Sequence, residues 1–302
     1  DNTAGAIEAD SLKLYSGSLI NQNGRLVALS HNAQQWSFTD AVDNDSGEMG
    51  SNGDLTLKAG SFRNHSGSVK SLSSLQIHST GDADNTDGRL LAGKQLGVVA
   101  SNFVNQKGVT GAEQVLLKSS HFDNQQGQVT GLQDVHIDAW NGVDNSLGSV
   151  VAGKALDILS AGNVMNQGGT LQGGTLLSIA ADNISNAEGK LLSGNKLSVR
   201  FNGALDNTAG ELSGDALELS AQRLMNKNGK ITGTTSAKVT TSDLINSKGL
   251  VSAGQQLTLN AGGILDNREG EFSGDGISIN AGSIENAQGK ILAGQDITLS
   301  AQ

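Results

Sequence analysis

The chain has 302 residues, with 20 Lys and Arg set against 30 Asp and Glu for a net charge of −10. That balance argues against nucleic acid or an anionic membrane face as a partner, and no apolar run approaches the length that spans a bilayer. Hydrophobic residues make up 36% and aromatic residues 3%, low for a globule but enough for a core only one repeat wide.

Cysteine is absent. This fits either a cytosolic chain with no need of it or a chain exported unfolded, for which an early disulfide would be an obstacle.

From the first residues onward one motif, Asn-x-x-Gly, returns about every twenty residues. Its Asn falls at Asn2, Asn21, Asn44, Asn64, Asn85, Asn105, Asn124, Asn145, Asn166, Asn186, Asn207, Asn226, Asn246, Asn267 and Asn286. A clean copy, Leu205 to Leu219, reads LDNTAGELSGDALEL, and the copy from Leu265 to Ile279 reads LDNREGEFSGDGISI. A period in this range, kept up without a break, signals a solenoid. It overrides the expectation of two domains that the length alone would give.

Two residues before the anchor stands an apolar residue, from Leu19 and Val42 through Leu265 and Ile284. Five residues after it comes another, from Ile7 and Leu26 to Phe272 and Ile291, with Thr110 as the exception. Later in each repeat lies an apolar-x-apolar pair such as Leu55 and Leu57 or Leu217 and Leu219. Alternation by two is strand spacing, and the intervening Gly, Asn, Asp and Ser are turn formers. One repeat cannot bury its own apolar side chains, but stacked copies bury them in columns. The expected fold is all-β: a right-handed parallel β-helix of about fifteen coils of ~20 residues.

Residues 1–302 then form a single elongated body. It starts and stops mid-repeat without a capping segment, as a piece of a longer filament would. In this phase the anchor Asn points inward, and a buried amide needs partners. The Asn one coil away supplies one, so the fifteen are expected to form a stacked structural ladder. The Gly three residues on is expected to supply a positive φ in the turn.

Taken in order, the first coil is ordinary. The second, from Asn21, is about three residues too long and carries Trp36 and Phe38 in place of the usual aliphatic pair. These either fill a locally wider coil or form a bulge for recognition. The twelfth is the weakest, with Ala237 where other coils place Leu or Ile. Asp precedes the anchor at Asp84, Asp144, Asp206 and Asp266, about three coils apart, and off that rhythm at Asp43 and Asp123, an imperfect pattern that reads as a record of block duplication.

Parallel β-helices also host polysaccharide-cleaving enzymes, which need carboxylates converging on one face. Asp215 and Asp275 share a column but lie three coils apart. Glu211 sits between Lys190 and Lys230, as in a solvated ion-pair ladder. Only Asp123 and Asp144 stack as neighbours, at a position expected to face water. His31, His65, His78, His121 and His136 occupy different columns, and none has metal-ligand spacing. Tyr15 and Trp140 fall at outward or turn positions. No catalytic, metal or cofactor site follows from these patterns.

The pattern LDNxxGxLxxGxxLxLxA closely resembles the haemagglutinin repeat of filamentous haemagglutinin. The same repeat occurs in related two-partner-secretion exoproteins, including effectors of contact-dependent growth inhibition, and the resemblance runs from Asp1 to Gln302. It implies a Gram-negative cell surface, passage through an outer-membrane two-partner-secretion transporter as an unfolded chain, and folding outside the cell. It implies no catalytic residues. The expectation is a non-catalytic shaft presenting an adhesin or a growth-inhibition toxin, with a receptor or glycan on a host or neighbouring cell met by the wider filament. Two alternatives stand beside it: a binding module using Trp36 and Phe38, and a β-helical polysaccharide lyase or hydrolase.

Overall fold

The computed structural model describes residues 1–301, all of them strand, turn or corner with no helix. It divides into two compact units, Asp1–Gly153 and Lys154–Gln302, built on one plan.

In the first unit a representative coil runs through the strands Ser61–Arg63, Ser68–Ser71 and Leu75–Ser79 before the next begins at Ala83–Asp84. Each strand pairs in parallel with its equivalents one coil before and after. Val69 lies between Met49 and Leu90, Leu75 between Leu55 and Leu96, and Ala83 between Phe62 and Phe103. Period-two alternation therefore sends the same positions inward in every coil, and Met49, Val69, Leu75, Ile77, Leu90 and Leu96 are all fully buried. Burying each such side chain contributes roughly 1.5–3 kcal/mol. Phe103 and Phe122 stack within one column, ring centroids 5.4 Å apart and planes at 13°. Thr110 takes its place in the apolar column fully buried because its hydroxyl donates to Asn105 Oδ1 at 3.0 Å.

In the second unit neighbouring strands often merge. Glu211–Ser220 pairs with Lys230–Thr241, setting Leu212 beside Ile231, Leu217 beside Ala237 and Leu219 beside Val239. Ala237 lies in the core between Leu217 and Leu257, a short side chain in a column of long ones.

A column of small residues, which apolar alternation does not single out, marks the corner seven residues after the anchors. It contains Ala28, Ser51, Ser71, Ala92, Ala112, Gly131 and Ala152 in the first unit. The equivalent positions of the second unit are Gly173, Ser193, Gly214, Gly233, Ala253, Gly274 and Ala293. The corner is tight enough that a methyl on Gly131 would stand 2.5 Å from the Asp134 carbonyl oxygen.

The long second coil differs from expectation. The register sets Gln34 opposite Leu55 and Trp36 opposite Leu57, so Gln34 and Trp36 occupy the paired positions and Phe38 follows them. Trp36 is fully buried and Phe38 nearly so. The Trp36 indole donates to the Leu12 carbonyl at 3.1 Å, and Gln34 Oε1 accepts from the Leu12 N–H at 3.0 Å. Recognition by Trp36 and Phe38 lacks the exposed surface it would need, because both side chains fill the wider coil from within.

Candidate functional site

The most strongly built feature is the line of anchor asparagines. In the first unit the side-chain amide of each Asn donates to Oδ1 of the Asn one coil on. The line runs Asn2, Asn21, Asn44, Asn64, Asn85, Asn105, Asn124, Asn145, with links of 2.6–2.7 Å. In the second it runs Asn166, Asn186, Asn207, Asn226, Asn246, Asn267, Asn286, with links of 2.7–2.8 Å. The same Nδ2 also reaches the carbonyl of its own turn Gly, as Asn207 does to Gly210 at 3.2 Å. From Asn21 to Asn267 every one of these residues is fully buried. Within each unit all the links point the same way, from each Asn to the Asn one coil on, an arrangement in which hydrogen bonds polarise one another.

The turn glycine has a different role from the one its position suggests. Positive φ falls one residue earlier, on fourteen non-glycine residues from Ala4 to Gln288 with φ between 52° and 59°, and on Gly168. A left-handed residue with a side chain costs roughly 1–2 kcal/mol. The turn offsets this with backbone bonds: Ala209 N–H donates to the next coil's Lys227 carbonyl at 2.8 Å, and Gly210 N–H to Asn207 at 3.0 Å. Gly itself is required by proximity. A methyl on Gly210 would lie 2.2 Å from the Asn186 carbonyl oxygen and 2.5 Å from Asn207 Oδ1, and Gly24, Gly47 and Gly148 show the same crowding.

The carboxylates before the anchors serve the same turn. Asp123 and Asp144 are register partners, but neither simply faces water: Asp123 is half-buried and Asp144 buried. Asp123 Oδ1 accepts from Gln125 N–H at 3.0 Å and its Oδ2 from Gln106 Nε2 at 2.7 Å. Asp144 accepts from Ser146 N–H at 2.9 Å and from Gln125 Nε2 at 2.8 Å. The side chain curls along the turn to the N–H two residues on, an Asx turn, which apolar periodicity does not reveal. Asp84, Asp206 and Asp266 do likewise.

The remaining candidates are scattered. Lys190, Glu211 and Lys230 are register neighbours, and Asp215 accepts from the Thr235 hydroxyl. Among the described residues no three His, Cys, Asp or Glu groups gather to hold a metal ion. Tyr15 and Trp140 are exposed, at 71% and 68%. No helix is long and apolar enough to cross a membrane.

Asp266 gives this geometry a pH signature. Arg268 grips it through Nε at 3.0 Å and Nη2 at 2.7 Å, which holds its carboxyl below the usual carboxylate range against the opposing effect of burial. A depressed folded-state pKa stabilises above the unfolded value, near 3.9, and that stability is lost as pH falls through the folded value. Asp266→Asn is therefore expected to lower the midpoint of denaturant unfolding at pH 7. The gap from the parent should close on acidification below about pH 4.

No curated protein and no solved structure is similar enough to this chain to count as a match. The haemagglutinin-repeat family model matches residues 1–87, 82–146, 128–209 and 179–302, which together span every coil described above. The chain belongs to the haemagglutinin-repeat family.

Proposed function

We propose that this chain is the shaft of a larger secreted cell-surface filament and is itself without catalysis. Its task is to hold an adhesin or growth-inhibition toxin away from the cell that makes it. The observation that supports this most is the use made of polar side chains. The buried amides are consumed in joining coil to coil, and both carboxylate oxygens of Asp123 and Asp144 are engaged in the turns. Export is through an outer-membrane two-partner-secretion transporter of a Gram-negative cell, with the receptor or glycan met by the filament as a whole. A chain without cysteine suits that route, since no disulfide can close before passage.

The rival enzyme reading puts the acid and base on Asp123 and Asp144. Incubated with pectins, other acidic polysaccharides and host glycans, the purified chain is expected to release neither reducing ends nor unsaturated products. Turnover that disappears in Asp123→Asn or Asp144→Asn would replace the shaft reading with a polysaccharide lyase or hydrolase.

A further inference from the structure

Five Asn-Gly pairs occur in the chain: Asn23-Gly24, Asn52-Gly53, Asn141-Gly142, Asn202-Gly203 and Asn228-Gly229. A glycine following asparagine presents no side chain to shield its nitrogen, so these are the pairs most open to backbone attack on the side-chain amide. The fold treats the five unequally. Asn23 and Asn228 are the left-handed residues of their turns, at φ 52° and 53°. Their glycines are buried and donate to Asn21 and Asn226 at 3.0 and 3.1 Å. Asn52 donates its side-chain amide to the Leu29 carbonyl at 2.7 Å while buried Gly53 donates to Ser51 Oγ at 3.1 Å. Asn141 is tied to Ser120 Oγ at 2.6 Å, and Gly142 is buried within the strand Gln128–Asp144.

Asn202 is different. It sits with Gly203 in the corner between the strands Lys196–Phe201 and Ala204–Asp206. Its side chain is exposed and makes no hydrogen bond to another described residue, and Gly203 is the one glycine of the five that is not buried. A single hydrogen bond engages the Gly203 nitrogen, to the Asp182 carbonyl at 2.9 Å.

We propose that Asn202-Gly203 is a site of spontaneous deamidation, while the fold holds the other four Asn-Gly pairs unreactive. Once the bond to Asp182 opens, the Gly203 nitrogen gives its proton to solvent base and bonds to Cγ of Asn202. The Cγ–Nδ2 bond breaks and ammonia leaves, closing a succinimide. Water then opens the ring at either carbonyl, giving aspartate or isoaspartate. The isoaspartate product lengthens the main chain at a corner where the Gly203 carbonyl accepts from Gln222 N–H at 2.8 Å. The modification therefore alters the join to the next coil and adds a negative charge.

The test is a time course on the intact folded chain at 37 °C and mildly alkaline pH. Peptide mass mapping with fragmentation that separates the two products follows each pair. Because the competing glycines are released only by larger local openings, Asn202 is expected to convert at least about tenfold faster than any other Asn-Gly pair. In denaturant the five rates should converge. Conversion of Asn23, Asn52, Asn141 or Asn228 as fast as Asn202 in the folded chain would overturn the proposal. So would a tenfold lead for Asn202 that persists in the unfolded chain, since local sequence and not the fold would then set the rate. In Asn202→Gln, total ammonia release from the folded chain should fall to the slow background. An unchanged release rate would also count against the assignment.

Discussion

Gly210→Ala is expected to destabilise the chain by about 3 kcal/mol or more, while Ala209→Gly beside it should be neutral or mildly stabilising. The added methyl would stand 2.2 Å from the Asn186 carbonyl oxygen, 2.5 Å from Asn207 Oδ1 and 3.0 Å from Asn186 Nδ2. One of these atoms is backbone of the neighbouring coil, and the other two form a link of the ladder. Relief of the clash must therefore either part the coils or break the amide bond between Asn186 and Asn207, now 2.8 Å. Overpacking alone costs about 1–3 kcal/mol, and a disturbed buried amide adds to it. At position 209 the terms reverse. Ala209 is exposed with φ 53°, so Gly removes a strained Cβ worth roughly 1–2 kcal/mol at an unfolded-state entropy cost of about 0.5–1 kcal/mol. Paired denaturant melts of the two variants check both signs. A loss for Gly210→Ala no larger than that for Ala209→Gly would mean that contact between coils does not require glycine at position 210.

Asn207→Ala should cost roughly 3 kcal/mol, set by the groups left without partners. Asn207 Nδ2 donates to Asn226 Oδ1 at 2.7 Å, to the Gly210 carbonyl at 3.2 Å and to the Lys230 carbonyl at 3.3 Å. Its Oδ1 accepts from Asn186 at 2.8 Å. Truncation strands an acceptor on one neighbour and a donor on the other, both buried where water does not reach them. Asp206→Ala is the internal comparison. The sequence pattern alone makes Asp206 a solvated residue worth under ~0.5 kcal/mol. Its hydrogen bond to Thr208 N–H at 2.9 Å raises the expected loss to about 1 kcal/mol, still well short of Asn207. Equilibrium unfolding in urea of the two single variants measures the difference.

The contrast between Asn207 and Asp206 shows how far the sequence can be read. Apolar alternation fixes which face of each strand is buried, so the columns through Leu205, Leu212 and Leu217 are legible without coordinates. The inward phase of Asn207 follows from its spacing to Leu205. The turn glycine and the small corner residue recur with the repeat, but recurrence alone does not say which neighbouring atom excludes a larger side chain. The reason for glycine at Gly210 and the small corner residue at Gly214 depend on how closely two backbones approach. In the second coil, an inserted loop shifts the phase. That is why the sequence assigns Trp36 and Phe38 to the paired positions that the register gives to Gln34 and Trp36. The Asx turns at Asp123 and Asp144 were hidden for another reason: a carboxylate that bonds its own turn looks, in sequence, the same as one that faces solvent.

The shaft account makes one direct claim: a coil is a spacer, and removing it whole should leave everything but length intact. Deleting Asn207 to Met225 takes out 19 residues, the span from one anchor to the next, and joins Asp206 to Asn226 with the repeat unbroken. In the full exoprotein, displayed on cells and assayed for attachment or growth inhibition, the deletion is predicted to keep surface level, cooperative unfolding and tip activity, with a shorter reach. Loss of activity by a deletion protein that is still displayed and still unfolds cooperatively would contradict the account and place a specific binding or catalytic role within the deleted coil.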